Sequence, residues 1–247
     1  MAVPRVKRQK PERAAPRAVG LTREAVIAAA LEEIDATGLP GFSIRGLARR
    51  LGVNPTVVVW HLGNRNMVLA EVVNAVQGDL VPARPPHQGW QDRLRQIFAR
   101  SREAVRRHPN VAPLIGAEIV SNVRSDFRLA EALLEALAEA GFTGAALCRA
   151  YNATHAALVG FTTQELAQMP GEDLPGWQAG MREHLTRADP RTHPILAREL
   201  PHLANRAFIL RWQNGVEAPM DESFALYVDC FIAGLAAHAL GTGIPAN

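Results

Sequence analysis

At Gly52-Val53-Asn54-Pro55 the sequence stops one helix and starts another with almost no chain between them. The helical pattern before it opens at Ser43, a capping residue, and carries Leu47, Ala48 and Leu51 on one face. Glycine tolerates the left-handed backbone conformation that closes a helix, so Gly52 ends this element. Asn54 followed by Pro55 reads as an N-cap with a first-turn proline, which starts the next helix at once. Two short helices joined by so tight a turn form a helix-turn-helix.

The flanking pattern builds a small bundle around this turn. From Thr22, Val26, Ile27, Ala30, Leu31 and Ile34 recur at helical spacing up to Gly38. A fourth helix follows from Asn64, with Met67, Leu69, Val72, Val73 and Val76 apolar, and runs towards Leu80. Val81 to Gly89 holds three prolines and reads as a linker. Further helical patterns cover 90–107, 111–120, 126–140, 143–168 and 221–240, with shorter pieces between 178 and 213 and loops at 169–176 and 214–219. No alternating apolar pattern appears, so the expected fold is all-α: an N-terminal three-helix helix-turn-helix unit and a larger helical domain. The division is expected at 1–20, a basic flexible arm; 21–80; and 81–247.

Charge separates the same regions. Up to Leu80 there are eleven Lys or Arg against seven Asp or Glu, while the rest of the chain holds sixteen against seventeen. The excess positive charge therefore sits beside the helix-turn-helix, which suits a polyanionic partner. Prolines 4, 11 and 16 prevent a continuous helix in the first twenty residues.

The run Phe42-Ser43-Ile44-Arg45-Gly46-Leu47-Ala48-Arg49-Arg50-Leu51-Gly52-Val53-Asn54, continued by Trp60-His61-Leu62-Gly63-Asn64-Arg65, resembles the DNA-binding domain of the tetracycline-repressor family. The resemblance extends from Thr22 to about Val76, and the rest matches in general layout. It implies a homodimeric, ligand-controlled transcriptional regulator, usually a repressor. One departure stands out: family members commonly carry Tyr at the position of Val59, where its hydroxyl grips the DNA backbone, and valine donates no hydrogen bond.

In a helix-turn-helix the second helix enters the major groove with its N-terminal residues towards base edges. The DNA-contact candidates on or beside it are Asn54, Pro55, Thr56, Val59 and Trp60. Ser43 and Arg45 open the preceding helix, and Arg45 is placed to reach a guanine edge or a phosphate; a bidentate arginine–guanine pair discriminates by about 1–3 kcal/mol. His61 and Arg65 are phosphate candidates. Arg5, Lys7, Arg8 and Lys10 of the arm either track phosphates or enter a minor groove, or else form a solvated tail. For Trp60 the competing reading is burial between the third and fourth helices, and for Asn54-Pro55 it is capping alone.

In the larger domain the helix at 143–168 and the last helix carry small residues among large ones, including Gly160, Ala233, Gly234, Ala236 and Ala237. Small residues let helices approach closely, and an apolar face wider than one core requires implies a partner. By resemblance these helices pair with their copies in a four-helix bundle. Candidates to line an effector cavity are Phe98, Phe127, Tyr151, Asn152, His155, Phe161, Trp177 and Trp212, which combine aromatic bulk with hydrogen-bonding tips. The implied effector is a small apolar or aromatic molecule.

Several classes are expected to be absent. His108, His184, His193 and His202 match no compact zinc spacing. No nucleophile elbow, phosphate-cradling glycine loop or paired Cys and His is present, so neither enzyme chemistry nor a cofactor is expected. Cys148 and Cys230 lie inside apolar helical patterns and are expected to be reduced and buried, as in a cytoplasmic protein. The last helix is interrupted by Asp229 and His238, which argues against a membrane span. Three other readings remain: an activator or architectural DNA-binding protein without an effector, a helical-bundle enzyme with an appended DNA-binding module, and an adaptor for a protein partner.

Overall fold

The computed structural model describes residues 20–78, 80–118 and 127–241, and they form an all-helical protein. The N-terminal helices are set by their caps. In α1 (Arg23–Gly41) the Thr22 hydroxyl accepts from the Ala25 N–H at 3.2 Å, and Gly38, at φ 69°, breaks the helical path ahead of Pro40. In α2 (Ile44–Arg50) the Ser43 hydroxyl accepts from the Gly46 N–H at 3.0 Å. Gly52, at φ 67°, then turns the chain where a β-carbon is strained. In α3 (Pro55–Leu62) Asn54 caps the first turn, and in α4 (Arg65–Gln77) Asn64 accepts from the Met67 N–H at 3.0 Å. Each capped turn satisfies amides that a helix start otherwise leaves unpaired.

These four helices close over Val26, Ala30, Ile34, Leu47, Ala48, Val58, Leu62, Val68, Leu69 and Val72, all buried. Arg23 fastens three of them together: it donates to the His61 carbonyl at 2.7 Å and pairs with Glu71 at 2.7 Å, so α1 holds the end of α3 and the middle of α4. Arg50 does the same between α2 and α1 through Glu32 at 2.7 Å and Glu33 at 3.4 Å.

The segment from Val81 to Gly89 is fastened down. The Arg93 guanidinium donates to the Pro82 carbonyl at 2.8 Å, and Arg84 donates to the Gln88 carbonyl at 2.6 Å while also pairing with Glu139. Beyond it come α5 (Trp90–Arg107), α6 (Phe127–Glu139), α7 (Gly144–Glu165), α8 (Leu174–Thr186), α9 (Pro194–Leu203) and α10 (Asp221–Gly241). Helices α5, α7 and α10 pack on one another, and α6 lies against α5 and α7.

Three expectations need correction. The stretch 111–120 is not one α-helix: Pro109–Val111 is a 3-10 turn and Leu114–Glu118 a π-type turn. Pro109 and Pro113 lack the amide donors that a regular helix would use there. The loop expected at 169–176 is shorter, because Asp173 caps α8 by accepting from the Gly176 N–H at 3.1 Å. Both cysteines are exposed rather than buried. An apolar helical pattern does not say which side of the helix packs inside the chain, and both cysteines lie on the outward sides of α7 and α10.

Candidate nucleic-acid interface and sensor core

Helix α3 is held by its buried side, Val58 and Leu62, so Pro55, Thr56, Val59 and Trp60 face outward together at the spacing of one helix face. Trp60 is 80% exposed and Val59 48%, which removes the reading of Trp60 as a core residue. The indole meets the His61 ring edge-on at 4.7 Å between centroids. Asn54 caps: its Oδ1 accepts from the Thr56 N–H at 3.0 Å and from the Thr56 hydroxyl at 2.9 Å. Its amide Nδ2 stays available, so capping leaves part of the side chain free.

Beside this tip, Ser43, Arg45 and Arg49 are exposed on α2, and neither arginine forms an ion pair among the described residues. Arg50 is neutralised by Glu32 and Glu33, whose hydrogen bonds and charge raise its already high pKa. Arg65 is partly spent inside the fold, donating to the Leu39 carbonyl at 3.3 Å and lying over the Phe42 ring at 5.8 Å. The tip therefore offers two unneutralised cations flanking an apolar ridge. Arg5, Lys7, Arg8 and Lys10 lie outside the described residues. The sequence did not single out Arg23 as a support for α3, because its role depends on a carbonyl 38 residues away.

The eight cavity candidates do not converge. Phe98 and Phe161 are buried in an aromatic cluster with Phe224, Tyr227 and Phe231: Phe98 meets Phe231 at 5.8 Å, and Phe161 meets Tyr227 at 5.3 Å and Phe224 at 5.4 Å. The Tyr227 hydroxyl donates to the Ala157 carbonyl at 2.7 Å, and burial raises its pKa. Tyr151 stacks on His155 at 6.3 Å, but His155 and Asn152 are exposed on the outer side of α7. Phe127 is 82% exposed at the start of α6. Trp212 lies under the Arg182 guanidinium at 5.0 Å, and its carbonyl accepts from Gln178 on α8; Trp177, one residue earlier on that helix, is half-buried. A cavity of about 790 Å³ opens elsewhere, lined by Asn205, Arg206, Met220, Asp221, Glu222 and Ser223 among others.

Next to the aromatic cluster lies a buried ionic group that periodicity did not reveal. Glu165, fully buried at the end of α7, receives Arg102 of α5 in a two-pronged contact at 2.6 and 2.8 Å, and the Met220 N–H at 3.0 Å. Asp221, the first residue of α10, takes a further Arg102 nitrogen at 2.8 Å. Burial alone raises the Glu165 carboxyl, but the Arg102 and Met220 hydrogen bonds outweigh it and hold the group below its ordinary value. Arg211 is also buried, with its pKa lowered by desolvation and its Nη2 without a hydrogen-bond partner among the described residues. No group of three or more His, Cys, Asp or Glu placed to hold a metal ion occurs among the described residues.

The profile of the tetracyclin repressor-like C-terminal domain matches residues 81–239. The chain belongs to the tetracyclin repressor-like family. An HTH-type transcriptional regulator of Saccharopolyspora erythraea is 29% identical over 181 residues, spanning 73% of this chain and 75% of that protein. The class D tetracycline repressor of Escherichia coli is 31% identical over 130 residues, 50% of this chain and 56% of the repressor. Among solved structures, apo ActR of Streptomyces coelicolor superposes with a TM-score of 0.68 at 19% identity, over 90% of this chain and 99% of ActR. ActR in complex with actinorhodin gives 0.67 at 23%, over the same shares. As a member of the tetracyclin repressor-like family the protein is a transcriptional regulator and not an enzyme.

Proposed function

We propose that the chain is a repressor that grips a palindromic operator as a homodimer and releases it when a small apolar or aromatic effector enters the helical domain. Residues 21–80 read the DNA, residues 81–247 sense and dimerise, and Arg5, Lys7, Arg8 and Lys10 of the arm at 1–20 add phosphate contacts. The protein acts in the cytoplasm, where its DNA is. The observation that carries the reading is the outward tip of α3, with Val59 and Trp60 exposed, beside an α2 whose exposed Arg45 and Arg49 form no ion pair among the described residues.

The second copy is supported by the faces that one chain leaves uncovered. On α7, Cys148, Asn152 and Ala156 are exposed; on α10, Leu226, Cys230, Ala233, Gly234 and Ala237 are. The stretch Asp221–Leu240 is long and apolar enough by composition to cross a membrane, yet only 22% of it is buried within the chain. A two-fold partner covers such a strip and lets the small residues interlock. The aromatic cluster around Phe98 and Phe161 favours an aromatic effector, and ActR was solved with actinorhodin.

Fluorescence anisotropy with the full-length chain and DNA from upstream of its own gene tests the proposal. The expected result is nanomolar binding to one two-fold symmetric site, with half-sites about 34–36 Å apart. Affinity should fall by orders of magnitude between about 50 and 200 mM salt. No binding below micromolar protein, or binding indifferent to salt, overturns it.

A further inference from the structure

We propose that this regulator reads its operator chiefly through thymine methyl groups, with Val59 and Trp60 as the residues that set specificity. This rests on the reading that α3 enters the major groove and goes beyond it by naming what α3 recognises there.

The argument starts from what α3 has left to offer. An asparagine identifies adenine by accepting from N6 and donating to N7 at the same time. Here both lone pairs of the Asn54 carbonyl are used inside the first turn, one by the Thr56 N–H at 3.0 Å and one by the Thr56 hydroxyl at 2.9 Å. The bidentate adenine contact is closed unless the cap of α3 is broken, and the Thr56 proton is committed by the same pair of bonds. What projects from the rest of the face is Pro55, Val59 and Trp60, none of which carries a charge.

Val59 and Trp60 are also the large apolar side chains on α3 that the fold leaves open, at 48% and 80% exposure. Such exposure on a short helix whose other side is fully buried leaves the ridge ready for a partner. In the major groove the apolar feature is the C5 methyl of thymine, since the other base edges present donors and acceptors. The T-shaped contact with His61 at 4.7 Å orients the indole. Arg23 holds the His61 carbonyl at 2.7 Å, so the C-terminal end of the helix is fixed as firmly as its capped start. Arg45 and Arg49, without ion-pair partners among the described residues, supply charge from α2 and leave the ridge to discriminate.

The full-length chain is used to select duplexes from a random pool. Each thymine of the selected half-site is then replaced in turn by deoxyuridine, which removes only the methyl group. Dissociation constants are measured by anisotropy for the wild type, Val59→Ala and Trp60→Ala, with thermal unfolding to confirm that these surface variants fold. We expect one or more positions where deoxyuridine weakens the wild type about fourfold, the worth of one buried carbon group. At that position the same replacement has no further effect on at least one variant, because the two losses are one contact. Deoxyuridine tolerated at every position, a loss undiminished in both variants, or half-sites without thymine overturns the inference while leaving the repressor reading intact. Failure to select any sequence overturns that reading first, and this inference with it.

Discussion

Glu165 shows how one side chain can join three parts of the larger helical domain. It ends α7, takes Arg102 from α5 and receives the amide of Met220 where α10 begins, with no contact to solvent. Its surroundings are equally close: the Gly215 N–H donates to the Glu165 carbonyl at 2.7 Å, and a β-carbon at Gly215 would stand 2.3 Å from the Glu165 Cγ. Removing one partner of a buried pair strands the other charge, so Glu165→Gln should lower unfolding free energy by about 3–5 kcal/mol in guanidinium titrations. The carboxyl is held below its ordinary value of 4.5, so its contribution is complete above that pH. It disappears as pH falls through the lower folded value, and the wild-type and Glu165→Gln stability curves should converge there.

Helices were legible in the sequence wherever a local rule governs them. Ser43 and Asn54 cap as expected, and Thr22 and Asn64 cap the helices that the periodicity started beside them, because capping acts within three residues. The outer surfaces of α7 and α10 were harder to assign to individual residues. Cys148, Asn152 and His155 sit among apolar neighbours, and periodicity cannot tell a side that packs within the chain from a side that waits for another copy. The cavity candidates scattered for a related reason: aromatic bulk marks burial, whereas convergence depends on distant residues such as Phe224 and Tyr227. The exposed side of α7 yields its own test. Ala156→Glu puts a charge on that face without disturbing the interior, so the monomer should fold normally. In a two-fold dimer the new carboxylate approaches the same strip of its partner, and like charges brought together cost several kcal/mol. Sedimentation equilibrium should show dimerisation weakened by about hundredfold or more.

Across the whole molecule, a few polar contacts reinforce the apolar packing that joins the helix-turn-helix to the rest. His108 meets Asp35 at 2.8 Å, and the Asn110 amide donates to the Ile34 and Asp35 carbonyls at 3.2 and 3.1 Å. Asn110 also accepts from Gln168, just past α7, at 3.4 Å. One asparagine thus touches the second half of α1 and the chain just past α7. Wild-type protein should melt in one calorimetric transition, while Asn110→Ala should split it, with α1–α4 unfolding first. A single unsplit transition in the variant would show that the apolar contacts between α4 and α5 suffice. The proline-rich strap after Leu80 bears on the same union, because Arg84 ties it to α6 and Arg93 ties it to α5. A chimaera spliced at Leu80 onto a foreign sensor inherits a slack hinge. To keep its aim the graft has to take the strap through Arg93 and find an acid in the host where Glu139 stands here.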